Sequence, residues 1–439
     1  MKPYLFSIRC CAACAGAVLF VTGLPAFAET AKKSKAPAVS VASGTLSLRQ
    51  AVGLAIAKHP ALAVYSEDFR AADALTLQAW LPPNPVVELN MEDAGGTGDY
   101  RGLGGTQNTL QLSQLFELGG KRAARVHAAA SQRDLVYWDY ETKRLEIAAA
   151  TAASFVDVLA AQRRVSQSKE SFILAEKFAP AAQKRLDAGR GSPVEVTRAQ
   201  AAAATAAMTL QVQHGQLAVA RKRLSAHWGT LTPQFSSAVG DIDEVRGLPS
   251  LAAARERLQR NPQLARRGAE LINREAKLAL EQAKARPDIT LTGGLRQYSD
   301  SGDAAIVLGF SIPWPRINRN QGAIEEARAQ LDRVSAQHAA TRAQLNAALA
   351  VAYEEMENAR SQIATYRGSL LPQMEQGSKL TTEGYDNGRF SYLEVLDAQR
   401  TLFDARQQYV EALIRYHKAV AEIEGITGQA LPYTPKSSK

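Results

Sequence analysis

The segment Arg185-Leu-Asp-Ala-Gly-Arg-Gly-Ser-Pro-Val-Glu-Val-Thr-Arg-Ala-Gln200 returns later in the chain as Gly384-Tyr-Asp-Asn-Gly-Arg-Phe-Ser-Tyr-Leu-Glu-Val-Leu-Asp-Ala-Gln399. The copies are identical at Asp187/Asp386, Gly189/Gly388, Arg190/Arg389, Ser192/Ser391, Glu195/Glu394, Val196/Val395, Ala199/Ala398 and Gln200/Gln399. In each copy helix-forming residues run into Gly-Arg, and a Ser opens a new helical pattern. That is the signature of a helix reversing on itself. Gly189-Arg190-Gly191-Ser192 and Gly388-Arg389-Phe390-Ser391 are therefore read as the tips of two helical hairpins. Upstream, Lys58-His-Pro-Ala-Leu62 is echoed by Arg260-Asn-Pro-Gln-Leu264, and Pro85 by Pro287. Helices share Ala and Leu by chance, but not turn residues and prolines in one order at nearly one spacing. The chain is an internal duplication.

Each repeat has the same order of elements. The first, 46–230, opens with a helix over 46–81 interrupted at Pro60. Strands follow at 86–92 and 109–116, then a hairpin at 121–228. The second, 248–427, has a helix at 248–286, strands at 288–297 and 305–312, and a hairpin at 319–425. Segments 29–45 and 231–247 are linkers, and 428–439 is a C-terminal tail. The strands alternate with period two. Val87, Leu89 and Met91 oppose Glu88, Asn90 and Glu92, and Ile306, Leu308 and Phe310 oppose Val307, Gly309 and Ser311. The outgoing helix of each hairpin runs for roughly 65 residues, or about 100 Å at the helical rise. The fold class is mainly α with a small β part: four strands per chain and two long α-helical hairpins.

Residues 1–28 read as a secretory signal peptide. Lys2 and Arg9 precede the apolar run from Ala12 to Leu24, and Ala26-Phe-Ala28 is a small-x-small cleavage site. All three cysteines, Cys10, Cys11 and Cys14, lie inside it, so the mature chain has no thiol. A lipid anchor on Cys14 is disfavoured, because the stretch before it is short and broken by Arg9. Cleavage removes two positive charges and no negative ones, taking the formal charge from +9 to +7. The charges alternate in sign along helices, and no basic cluster carries interleaved aromatics, so nucleic acid is not an expected partner. No mature segment reads as a transmembrane helix. The longest uncharged run, Ala199 to Ala220, contains four Gln and His214. The six histidines form no HxH or i, i+4 pair, and no Walker loop, GxSxG or HExxH occurs. Neither a cofactor, a metal site nor an enzyme activity is expected.

Four strands with one apolar and one polar face cannot close a barrel. Closure takes about eight strands, and an open edge in lipid leaves backbone groups unpaired. Such a chain should pool its strands with copies of itself, with Glu88, Asn90, Gln111 and Ser113 wetting the inside. The residues alone leave open a soluble periplasmic coiled-coil bundle, or a periplasmic adaptor, carrying a small sheet.

The order of helix, strand pair and long hairpin, used twice, resembles the TolC-type outer membrane factor family over essentially the whole mature chain. Leu81-Pro-Pro-Asn-Pro85, with Leu112-Ser-Gln-Leu-Phe-Glu-Leu-Gly-Gly-Lys-Arg-Ala-Ala-Arg125, is similar to its heavy-metal efflux (CzcC-like) branch. The resemblance implies a homotrimer in the outer membrane, with a twelve-strand β-barrel above a twelve-helix periplasmic tunnel. It also implies a passive channel in a tripartite system with a periplasmic membrane fusion (adaptor) protein and an inner-membrane RND proton-driven transporter. The exported substrate on that reading is a divalent heavy-metal cation, with a drug or other organic compound as the alternative. Glu394 and Asp397, at i, i+3 after the second tip, match the acids that ring the periplasmic entrance. Tyr385 matches a tyrosine of the closed-state contacts, and the two tips match the adaptor-docking ends. This chain departs from the pattern at Glu394, where the best-known members carry Asp, and at Phe390, where some carry a basic residue.

Overall fold

Extended backbone before two prolines sets where the first helices of each repeat bend. In the computed structural model, which describes residues 44–428 except positions 246 and 248, the chain opens with strand β1 (Gly44–Ser47) and helices α1 (Leu48–Lys58) and α2 (Pro60–Trp80). The expected signal peptide, almost all of the first linker and almost all of the tail lie outside the described residues. His59 sits between α1 and α2 at ψ 124°, forced extended by Pro60. Its Nδ1 accepts the Ala61 N–H at 3.1 Å and so starts α2. The sequence pattern predicts one helix over 248–286. The structure breaks it into α5 (Leu251–Leu258) and α6 (Pro262–Lys284). Asn261, at ψ 131°, repeats the elbow, and its Oδ1 accepts the Gln263 N–H at 2.6 Å.

Between these helices run strands β2 (Val86–Glu92), β3 (Gln107–Phe116), β5 (Ile289–Tyr298) and β6 (Ala304–Ser311), within a residue or two of the expected bounds. They form one antiparallel sheet in the order β2-β3-β5-β6, so the two repeats meet along β3 and β5. The register sorts the side chains by chemistry. Leu89 lies opposite Leu110, Leu110 opposite Leu295, and Leu295 opposite Ile306. In the next row Val87, Leu112, Gly293 and Leu308 align. This face is bare, with Leu308 82% and Phe310 76% exposed. The other face is cross-linked by polar groups. Gln111 donates to Glu88 at 2.8 Å, Ser113 and Thr292 hydroxyls meet at 3.0 Å, and Arg296 reaches Thr109 and Glu92. Each outer strand, β2 and β6, is paired on one side only among the described residues.

The hairpins follow. Helix α3 (Lys121–Asp187) runs unbroken through Pro180 for 67 residues, about 100 Å, and α4 (Pro193–Ala226) returns. In the second repeat α7 (Gln321–Thr365) passes through one wide turn of π-helix, Tyr366–Leu370, into α8 (Leu371–Asp386), and α9 (Tyr392–Thr427) returns. The wide turn sits just before Pro372, whose missing N–H and ring weaken the ladder there, whereas α3 carries Pro180 without such a widening. By length and composition α3 holds a stretch apolar enough to cross a membrane, which the sequence reading did not expect. Phe155, Val158, Leu159, Ala160 and Ala161 from its middle are instead buried in the main core with Leu54, Leu349, Met356, Leu413 and Tyr416.

A collar closes that core. Strand β4 (Phe235–Val239), inside the expected linker 231–247, pairs in parallel with β1. Gln162 of α3 stitches the pair down, donating to Ala238 O at 3.0 Å and accepting its N–H at 2.7 Å. The next residues are pinned by α9: Tyr409 donates to Asp243 at 2.8 Å, and His417 Nε2 lies 2.8 Å from Ile242 O. At the sheet end, the Arg125 guanidinium donates to Ala79 O at 2.9 Å, Leu81 O at 3.2 Å and Glu117 at 3.1 Å. It thereby fastens the end of α2 to the turn before α3.

Burial pushes the His417 imidazole below its ordinary value, outweighing the upward pull of the Ile242 carbonyl and of Asp241, Asp243 and Glu244. The folded state holds the ring neutral, so its contribution is full above about pH 6.5 and is lost as pH falls through the lowered value. Melting of the mature protein is expected to drop between pH 7 and pH 5. His417→Gln, which keeps a donor for Ile242 O, should flatten that drop; an unchanged pH profile would show that the collar does not sense the proton.

Candidate functional site

Both tips use the same chain reversal. Gly189 and Gly388 take positive φ, 69° and 73°, where a side chain would strain the backbone. Gly189 N–H bonds Leu186 O at 2.9 Å and Arg190 N–H bonds Arg185 O at 2.8 Å. Gly388 and Arg389 bond Tyr385 O and Gly384 O in the same pattern, at 2.9 and 2.7 Å. These are paired Schellman closures, and they place Arg190 and Arg389 three residues beyond the ends of α3 and α8, directly after each glycine. Ser192 and Ser391 then cap α4 and α9.

Past the turns the repeats diverge. Ser391 and Glu394 form a full capping box: Glu394 Oε2 accepts the Ser391 N–H at 2.7 Å and its hydroxyl at 2.9 Å. Those bonds hold the Glu394 carboxyl below the usual carboxylate range, the backbone N–H first and the hydroxyl second. Glu195, the matching residue of the first tip, caps nothing in this way. Its carboxylate accepts the Tyr385 hydroxyl of the second hairpin. Arg185 completes the contact. Its Nη1 donates to Tyr385 O at 2.7 Å, its guanidinium lies 4.4 Å over the Tyr385 ring, and its Nε is 4.0 Å from Glu195.

This group sits on a small apolar cluster of its own. Phe178, Ala182, Val196, Ala199, Tyr392 and Val395 surround Tyr385, which is 1% exposed. Ring centroids of Phe178, Tyr385 and Tyr392 lie 5.8–5.9 Å apart. Burial, then the Glu195 hydrogen bond and charge, hold the Tyr385 hydroxyl well above its ordinary value, so it stays a donor through the neutral range. The two hairpins are thus joined just above their tips by a buried aromatic with its polar end satisfied.

The other expected residues fall elsewhere. Asp397 is exposed and lines a groove with Arg198, Leu174, Leu396, Arg400 and Phe403. Arg198 is the first-repeat counterpart of Asp397, so the charge at that position is inverted between hairpins. Arg190, Ser192, Arg389 and Ser391 are exposed at the tips, and Gly191 is half-buried against Leu186. The Phe390 ring, 40% exposed, lies on Gly384, where an added methyl would overlap it. Among the described residues no three His, Cys, Asp or Glu side chains are grouped to hold a metal ion. Sequence reading missed Arg185 and Glu195. The repeated Glu195/Glu394 pairing pointed at one of them, but nothing in the pattern showed that the two carboxylates turn in different directions.

Removing the hydroxyl in Tyr385→Phe strands Glu195 beside Arg185 and should cost about 1–3 kcal/mol of local stability. Tryptic cleavage after Arg190 and Arg389 then speeds up at least several-fold. Cleavage at the wild-type rate would mean the hydroxyl contributes nothing.

Comparisons with known proteins bear on what this geometry is for. Residues 51–230 and 253–429 match the family model described as outer membrane efflux protein. The chain is 33% identical over 388 residues to the cobalt-zinc-cadmium resistance protein CzcC of Cupriavidus metallidurans, covering 88% of this chain and 91% of that one. It is 28% identical over 326 residues to the nickel and cobalt resistance protein CnrC of the same organism, covering 72% of each. In three dimensions it is similar to a membrane protein from Pseudomonas aeruginosa, with TM-score 0.73 at 18% identity, covering 89% of this chain and 92% of that one.

Proposed function

Because this chain belongs to the outer membrane efflux protein family, we propose that three copies form a passive outer membrane channel for divalent heavy-metal cations. In this reading each copy supplies four strands to a shared twelve-strand barrel and two hairpins to a tunnel below it. The bare apolar face and the two open edges of the sheet carry the proposal. A lipid-facing surface needs the first, and pairing of β6 with β2 of the next copy needs the second. The names of the metal-resistance relatives favour metal cations over organic compounds. No chemistry is asked of the channel, whose family is non-enzymatic.

The periplasmic tips are the moving part of the proposed channel. The Arg185–Tyr385–Glu195 contact holds the two hairpins of a copy together in the closed state. The tips Gly189–Ser192 and Gly388–Ser391 meet a periplasmic adaptor, which couples the channel to an inner-membrane proton-driven transporter. Glu394 and Asp397 face the constriction, where threefold symmetry turns each into a ring. Carboxylate rings favour cations and oppose anions. Arg198 tempers that preference at the level of Asp397.

Two measurements test the proposal. A deletion strain is expected to lose tolerance to zinc, cobalt, nickel, cadmium or copper and to regain it with this chain. Unchanged metal tolerance with new sensitivity to dyes or antibiotics would make the cargo organic. In planar bilayers, Glu394→Gln combined with Asp397→Asn should shift the reversal potential in a salt gradient toward lower cation preference. An unmoved reversal potential would remove both residues from the filter.

A further inference from the structure

Strand β6 ends at Ser311, but the chain does not enter α7 at once. Ile312-Pro-Trp-Pro-Arg-Ile-Asn-Arg319 lies between them. Pro313 and Pro315 favour extended backbone at the residues before them, Ile312 and Trp314. The alternation of β6 therefore continues past its last hydrogen bond. By that alternation Ile312 and Trp314 extend the stripe of Ile306, Leu308 and Phe310 on the apolar face. Trp314 and Ile317 are 85% and 87% exposed, the two barest large apolar side chains among the described residues.

The opposite side of the sheet base has a matching feature. Trp80 ends α2 and Leu81 follows it, both exposed and a few residues before β2, and the Arg122 guanidinium lies 5.9 Å over the Trp80 ring. Exposed Phe116 and Leu118 lie at the base of β3. Arginines accompany these apolar groups. Arg316 and Arg319 are exposed beside Trp314 and Ile317, and neither they nor Arg122 makes an ion pair among the described residues. Exposed Trp flanked by Arg with no ion pair among the described residues, at the end of an apolar band, matches the level of lipid headgroups; Arg319 Nε donates to Pro315 O at 3.2 Å and leaves its other N–H groups for a ligand. There a Trp ring straddles the polar boundary and a guanidinium can bind phosphate oxygens.

We infer that Ile312–Arg319, together with Trp80 and Arg122, is a phospholipid anchor. Trp314 and Ile317 enter the edge of the periplasm-facing leaflet, and the three arginines bind headgroup phosphates. The inference rests on the sheet being the membrane-spanning part, as proposed above, and adds to it a specific lipid contact that fixes the depth of the barrel.

The test uses the mature full chain in phosphatidylcholine vesicles with acyl chains brominated at chosen depths. The chain has four tryptophans, so the signal of Trp314 is the difference between wild type and Trp314→Phe. Trp314 should be quenched most by bromines nearest the headgroup. A control, Leu308→Trp in the Trp314→Phe background, should be quenched most by bromines deeper in the chain. In addition, Arg316→Gln with Arg319→Gln should lower phosphatidylglycerol retained by the purified protein at least several-fold. If position 308 is not quenched at any depth, the membrane-spanning reading itself fails. If 308 is quenched and Trp314 is not, the anchor alone is overturned, and an oligomer broken by Trp314→Ala would then make the loop a contact between copies. Unchanged phosphatidylglycerol retention would overturn the phosphate contacts.

Discussion

A β-sheet can stand in lipid only if every backbone donor and acceptor has a partner, and among the described residues this sheet has two edges without one. The outward groups of β2 and β6 would each cost several kcal/mol if left bare in hydrocarbon. In water the apolar face would be the liability instead, since Leu89, Leu110, Leu295, Ile306 and Leu308 form a continuous bare row and its neighbour. Neither solvent suits one copy alone. Joined edge to edge, copies meet both demands at once: the strands close and the apolar face turns to lipid.

Duplication supplied two of everything, and divergence gave each copy its own work. Both tips close with the same glycine-centred turn, yet Glu195 reaches across to Tyr385 while Glu394 caps its own helix. The difference traces to neighbours. Tyr385 has Leu186 as its first-repeat counterpart, and Arg185 has Gly384, so only one hairpin can offer the phenol and only the other the guanidinium. Gly384 in turn makes room for the Phe390 ring. The contact between hairpins is therefore a product of asymmetry that a perfect repeat could not build.

The architecture was largely legible in the sequence because its signals are periodic or repeated. Alternation in Val86–Glu92 and Ala304–Ser311, prolines before the strands, and the doubled Gly-Arg turn each carry a local physical meaning. What escaped was non-local or short. Strand β4 has five residues, and its partners, β1 and Gln162 of α3, lie far away in sequence, so no period marks it. The elbow at Asn261 was visible only through its likeness to His59. The apolar middle of α3 is sheltered by chain far away in sequence, and hydropathy by itself cannot tell that from a membrane span. At the tips, Tyr385 was named from resemblance, but its partners Arg185 and Glu195 come from the other hairpin, some 190–200 residues earlier.

Whether identical subunits share one wall is most directly read from the mass of the mature protein extracted in detergent, by native mass spectrometry. The account predicts a single species of three chains that precipitates or clumps once the detergent is withdrawn. A lone chain, monodisperse and stable in plain buffer, would contradict it.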